Sequence, residues 1–232
     1  DQCRPPPPTD RRILGETVRM ANADLAQLER GRLCDLFLEV GPDAPTLCEG
    51  WTTADLAAHL VIRERKPLAA PGIVAGGRLG KYSEKVRLAT RDGSTFTDLV
   101  ARVRSGPPAL LRPLDGAINL SEYFIHLEDV RRGDGTTEPR PADDIADVEA
   151  ALWAMQGRRT KFLTRTLHDV DLTLALPDGE TRPIGGGSRS VTLTGRAGEL
   201  TLFLAGRRGA AQVELKGETE AVDEVRTGKL GI

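Results

Sequence analysis

Apolar and polar positions along the chain fall into two periods, one helical and one extended. From about Asn22, the residues Leu25, Leu28, Leu36 and Val40 recur at three-, eight- and four-residue intervals, with Arg30, Arg32, Asp35 and Glu39 largely off that stripe. This predicts a first amphipathic helix, ended by Gly41-Pro42. Thr52 or Thr53 offers an N-cap to a second helix, Ala54 to near Pro67, and Asp55 suits its positive end. Pro67–Gly80, with two prolines and four glycines, predicts a long loop. Phe96, Leu99, Val100 and Val103 predict a third helix from near Ser94–Thr97, broken by Ser105-Gly106-Pro107-Pro108. A fourth, Leu120–Arg132, is capped by Asn119 or Ser121 and stops at Gly133-Asp134-Gly135. A fifth opens at Asp143-Asp144 and runs to about Thr166, with Leu152, Met155, Arg159 and Phe162 on one side. Helices one, two, four and five are expected to form a bundle.

After His168 the period changes to two. Val170–Leu176 alternates and ends in the turn signal Pro177-Asp178-Gly179. Ser190–Thr194, Leu200–Leu204 and Gln212–Leu215 are expected as further strands, and Glu218–Thr227 as a short closing helix. The expected division is a Pro-rich disordered extension over 1–19, a helical unit over 20–166 and a small α+β unit over 167–232. Four consecutive prolines, Pro5 to Pro8, impose the extended conformation at the start, and Met20 is a plausible original start.

Composition narrows the function classes. With 39% hydrophobic and 28% charged residues among 232, the chain is of globular type. Thirty-two basic against 34 acidic residues give a net charge of −2 and no electrostatic reason to expect nucleic acid or an anionic membrane as partner. No apolar run approaches the roughly 20 residues that span a bilayer. Six lysines against 26 arginines reflect the coding bias of a GC-rich genome. Cys3, Cys34 and Cys48 are odd in number and lack metal-type pairing, and no secretory signal opens the chain, so a reducing cytoplasm is expected.

The chemistry rests on histidine, of which there are three. Glu122 and His126 lie four apart on the fourth helix and share a face; His59 comes from the second, on the strip of Leu56, Leu60 and Arg63. Two imidazoles and a carboxylate from two helices make a three-donor set with a fourth position left open. The spacing alone also suits a surface ion pair, and His59 alone a satisfied core histidine. Asp129, on the same face, is a candidate to orient a ligand, or a solvated charge. Trp51 and Arg63 are candidate pocket walls, with core packing the plainer reading of Trp51. Cys48 reads as a small buried hydrophobe before a nucleophile. Gly185-Gly186-Gly187 lacks the Gly-Lys-Ser/Thr of a phosphate loop, and His168 marks a boundary.

The stretch Leu47-Cys48-Glu49-Gly50-Trp51-Thr52-Thr53-Ala54-Asp55-Leu56-Ala57-Ala58-His59-Leu60, with the later Glu122-x-x-x-His126, resembles the DinB-like superfamily that includes the mycothiol-dependent maleylpyruvate isomerase group. The resemblance spans roughly Asn22 to Ile232. It implies an all-α four-helix bundle followed by a small α+β, sterol-carrier-like domain, with His59, Glu122 and His126 as metal ligands. The Pro67–Gly80 loop sets the chain apart as a metal-binding branch distinct from the isomerase proper. The group also uses an arginine from its carboxy-terminal domain, a role open here to Arg189, Arg196, Arg207 or Arg208. The implied function is a metal-dependent, thiol-dependent transferase or isomerase of actinobacterial type. Its cofactor would be a divalent ion, zinc or nickel. Its partners would be mycothiol or a similar thiol and an electrophilic substrate, and the chain would be a monomer or homodimer. A metal-dependent hydrolase activating water, and a non-enzymatic protein holding an apolar ligand, are the rival expectations.

Overall fold

The computed structural model describes residues 11–66, 77–108, 115–157, 160, 164 and 166–228, with the backbone alone described at 11–21 and 115–118. The helical part comprises α1 (Arg11–Val40), α2 (Thr53–Arg65), α3 (Gly77–Asp92), α4 (Phe96–Arg104), α5 (Asp115–Arg131) and, after a 3-10 turn at Asp143–Ile145, α6 (Ala146–Met155). There follow β1 (Val170–Ala175), β2 (Thr181–Pro183), β3 (Arg189–Thr194), α7 (Ala197–Leu204), β4 (Glu214–Gly217) and α8 (Thr219–Thr227). The four strands form one mixed sheet in the order β2-β1-β3-β4, with β1 and β3 parallel and in register from Val170 opposite Arg189 to Ala175 opposite Thr194.

Four helices share the first core. Leu33, Cys34 and Phe37 of α1, Leu56, Ala57 and Leu60 of α2, Leu99, Val100 and Val103 of α4, and Tyr123 and Leu127 of α5 are buried against one another. Each large apolar side chain sealed in this way contributes roughly 1.5–3 kcal/mol, so this contact set outweighs the surface ion pairs around it, worth about 0–1 kcal/mol each. The predicted third helix, now α4, therefore belongs to this core. The predicted fifth, α6, does not: it packs chiefly on α7. That corrects the expected bundle membership.

The second core crosses between the two parts of the chain. Ala26 of α1 and Leu120, Phe124 and Ile125 of α5 join Leu152 and Trp153 of α6, Leu172, Leu174, Val191 and Leu193 of the sheet, and Leu200 and Phe203 of α7. At the seam a Cβ on Gly198 would stand 2.6 Å from the Phe124 ring, so glycine permits the close approach of α7 to α5. Arg132, fully buried, bonds Glu128 at 2.7 Å and Glu199 of α7 at 2.7 Å.

Other differences have local causes. α1 opens at Arg11, well before the expected start near Asn22, so residues 11–19 are helical where an irregular extension was expected; 1–10 lie outside the described residues. α3 opens at Gly77 inside the predicted loop, of which 67–76 lie outside the described residues. Its buried positions are Ser83, Arg87 and Thr90, a helical stripe with no apolar member, so hydrophobic periodicity is blind to it. Leu200–Leu204 is helix, not strand. All eight residues of α7 are buried, and an apolar run buried on every side carries no period to separate the two forms. The predicted fifth helix breaks at Gln156, whose backbone is extended; Arg159 and Phe162 lie outside the described residues.

α2 is set by a capping box: the Thr52 hydroxyl accepts from the Asp55 N–H, and the Asp55 carboxylate accepts from the Thr52 N–H. The same carboxylate takes Arg87, and Arg91 at 2.7 Å, which docks α3. Burial alone would push its pKa up. The Thr52 N–H and the two guanidiniums outweigh that and hold it at about 2, against an ordinary 3.8.

Two outcomes follow. A fragment ending at residue 166 leaves Phe124 and Arg132 uncovered, so it is expected to melt well below the complete chain or lose its cooperative transition; equal melting would contradict a shared core. The Asp55 contribution, on the order of 2 kcal/mol, is complete above about pH 4 and is lost as pH falls toward about 2. In Asp55→Asn, urea midpoints at neutral pH should drop, and that acid-dependent component should vanish.

Candidate functional site

The lead-in to α2 and the carboxy-terminal half of α5 meet at the predicted site. Thr46 Oγ1 accepts from the Cys48 N–H at 3.2 Å and donates to the Trp51 carbonyl at 2.9 Å, folding residues 46–51 into a tight loop. The Leu47 N–H donates to the Asp129 carbonyl at 2.9 Å, which seats that loop on α5. A Cβ on Gly133 would fall 2.1 Å from the Pro45 carbonyl oxygen, so the seat requires glycine just after α5.

The structure brings the predicted residues together. The His59 and His126 rings meet edge to face, 5.3 Å between centroids, and the half-buried Trp51 ring lies 5.1 Å from His59. Glu122 Oε2 is 3.8 Å from His126 Nε2 and 3.5 Å from Arg63 Nε. Arg63 also donates to Asn119. Arg87 reaches in from α3, its guanidinium 4.6 Å above the Trp51 ring. Burial, and next the neighbouring His126, push the His59 pKa down to about 3, so its ring is a neutral imidazole with a lone pair to offer.

Behind His126 stands a second layer. His126 Nδ1 is 2.9 Å from Asp129 Oδ2, Cys48 Sγ donates to the same oxygen at 3.2 Å, and Arg207 donates to Asp129 through Nε at 2.9 Å and a terminal nitrogen at 2.7 Å. Burial would raise the pKa of the fully enclosed Asp129. The Arg207 and His126 bonds outweigh it and hold the group ionised, below the usual carboxylate range. Asp129 is thus no solvated charge. It fixes the ring of His126 and leaves Nε2 toward Glu122.

Among the described residues, the donor atoms that all lie within 4.8 Å of one another are those of Cys48, His126 and Asp129, not the expected trio. That set could take a metal ion only by displacing a permanent cation, because an Arg207 nitrogen sits 3.4 Å from Cys48 Sγ. The sequence leaves Arg207 open beside Arg189, Arg196 and Arg208 and does not place it in this cluster. Of the four arginines left open it is the one that arrives: Arg189 pairs with Glu224, Arg196 with Glu149, and Arg208 bonds the Gly228 carbonyl. Only the turn after α7, which bonds the Arg207 guanidinium to the Ala205 carbonyl at 2.7 Å, aims it there, and no local motif announces that.

Residues 26–119 match the family described as mycothiol maleylpyruvate isomerase N-terminal domain. This agrees with the DinB-like resemblance seen in the sequence; His59 lies inside the matched span, Glu122 and His126 just beyond it. Two solved structures are similar in fold: the mycothiol-dependent maleylpyruvate isomerase and a histidine-to-alanine variant of it. Each shares 18% identity and a TM-score of 0.57, covering 87% of this chain and 94% of the other. No curated protein matches the chain. No helix among the described residues is long and apolar enough to cross a membrane.

Burial, then the charge of Asp129, pushes the Cys48 thiol up to about 12. Cys48 should therefore resist alkylation at pH 8 in the folded protein and react readily in denaturant, as read by site-resolved mass spectrometry; fast native labelling would refute the protonated, enclosed thiol.

Proposed function

We propose that the protein is a metal-dependent enzyme of the mycothiol-dependent transferase or isomerase type, with His59, Glu122 and His126 as the metal ligands on a DinB-like four-helix bundle of α1, α2, α4 and α5. The observation that carries this is the convergence of two imidazoles and a carboxylate from α2 and α5, with the far nitrogen of one imidazole already engaged by a buried carboxylate. The donor chemistry fits a borderline divalent ion, zinc or nickel. His59 is neutral, His126 is fixed in orientation, and Glu122 supplies negative charge. The family match and the fold shared with a mycothiol-dependent isomerase support the same reading.

When bound, the ion would supply positive charge that lowers the pKa of a small thiol brought to it, which is what addition of sulfur to an electrophilic substrate needs. The chain's own residues set the stage. Trp51 walls the His59 side and keeps water from it. Arg63 holds the Glu122 carboxylate between two helices, and Arg63 and Arg87 make the surroundings of His59 cationic, suited to a thiol and substrate carrying carboxylates. Cys48, held protonated against Asp129, leaves the nucleophilic sulfur to come from outside.

His59→Ala should reduce metal content from near one equivalent to below about a tenth while leaving the circular dichroism spectrum unchanged, since three-point ligation depends on each donor. The complete protein with metal should form adducts between mycothiol and a panel of electrophilic unsaturated acids. Full metal stoichiometry in the variant would overturn the ligand assignment, and water attack without any thiol requirement would replace the transferase reading by a hydrolase.

A further inference from the structure

We infer that Arg207 is a positioning residue through which the carboxy-terminal unit sets the orientation of His126, so that docking of that unit and competence of the metal-facing histidine are one event. The chain of contacts is short and continuous. The turn Ala205–Arg207, closed by the Arg207 N–H donating to the Leu202 carbonyl at 2.9 Å, points the guanidinium back at α5. Its two nitrogens grip the two oxygens of Asp129 at 2.9 and 2.7 Å, a paired geometry that fixes the plane of the carboxylate as well as its place. Oδ2, so fixed, lies 2.9 Å from His126 Nδ1. An ionised carboxylate accepts only, so Nδ1 carries a proton, and the ring is held with Nε2 on the Glu122 side.

Asp129 could not do this alone. Its side chain is fully buried on the last turns of α5, and without Arg207 it would be a charge enclosed with a neutral thiol and an imidazole. The thiol of Cys48 donates to the same oxygen that His126 uses, so the carboxylate must be turned correctly to serve both, and the guanidinium supplies that constraint. A lysine would supply the charge at one point and leave the carboxylate free to rotate. The geometry is independent of any metal; its consequence for metal binding rests on the ligand assignment proposed above.

The test uses the full chain. In the metal-free protein, two-bond proton–nitrogen spectra report the tautomer of each histidine, with His126 assigned by its loss in His126→Gln. Wild type should show His126 protonated at Nδ1, while Arg207→Met and Asp129→Asn should show a mixture of tautomers. Cobalt(II) titration should show a 10- to 100-fold weaker affinity in Arg207→Met, the range typical for groups that orient a ligand, together with an altered visible spectrum. Arg207→Lys should recover only part of the loss. Arg189→Met, which removes an ion pair between the sheet and α8, controls for general loosening and should leave both readings unchanged. Should Arg207→Met not fold, Arg207→Gln gives the same two readings. Wild-type tautomer and affinity in the Arg207 variants, or full recovery with lysine, would overturn the inference. A tautomer shift in the Arg207 variants, with a wild-type protein that binds no cobalt, would support the positioning role and sink the metal assignment instead.

Discussion

The carboxylate of Asp129 is the constraint on which the site depends. It is enclosed, ionised and shared by three donors that come from three separate parts of the chain: His126 from its own helix, Cys48 from the loop before α2, and Arg207 from the turn after α7. A buried charge is tolerated only when such donors surround it, so the fold must deliver all three at once. The loop reaches it through the Leu47–Asp129 backbone bond and the absent side chain of Gly133; the turn reaches it because α7 packs on α5 across Gly198. The features that hold the two parts of the chain together are thus the features that build the histidine layer.

Apolar burial and polar contacts divide the work. Two cores, one among α1, α2, α4 and α5 and one running from α5 through α6 into the sheet and α7, supply the bulk of the stabilisation. Direction is supplied by arginine. Arg87 ties α3 to the start of α2, Arg132 ties α5 to α7, and Arg207 ties the end of α7 to the site. Arg132 and Arg207 fork onto the carboxylates they reach, while Arg87 gives Asp55 one nitrogen and pairs its other two with Glu84 of its own helix; each joins elements that hydrophobic contact alone could let slide. With 26 arginines to six lysines the chain has ample means to do this, which gives the compositional bias a structural use without making it a recognition surface.

Much of the helical part was legible because its signals are local. The cap at Thr52 or Thr53 with Asp55 at the helix start, the glycine stop after α5 and the apolar stripe of α4 each need only a few neighbouring residues to be read. His59, Glu122, His126 and Asp129 could be singled out for the same reason: three share one helix face, and the fourth follows a helix start marked by its own cap residues. What escaped was non-local. α3 buries a polar stripe whose partner, Asp55, lies on another helix; α7 is buried on every side; the choice among four arginines depends on a turn whose aim no short motif records. The expected bundle failed in one member because α6 has two neighbours to choose from, α1 and α7, and only the tertiary packing decides.

Two donor sets share His126, and they differ in one element. The proposed set offers nitrogen and oxygen from His59, Glu122 and His126; the tighter cluster offers sulfur from Cys48. X-ray absorption at the zinc edge, on the full chain loaded with one equivalent of zinc and no added thiol, separates them directly. The account predicts scatterers at about 2.0–2.1 Å that are all nitrogen or oxygen, with no change in Cys48→Ser. A sulfur shell at about 2.3 Å that disappears in Cys48→Ser would contradict it.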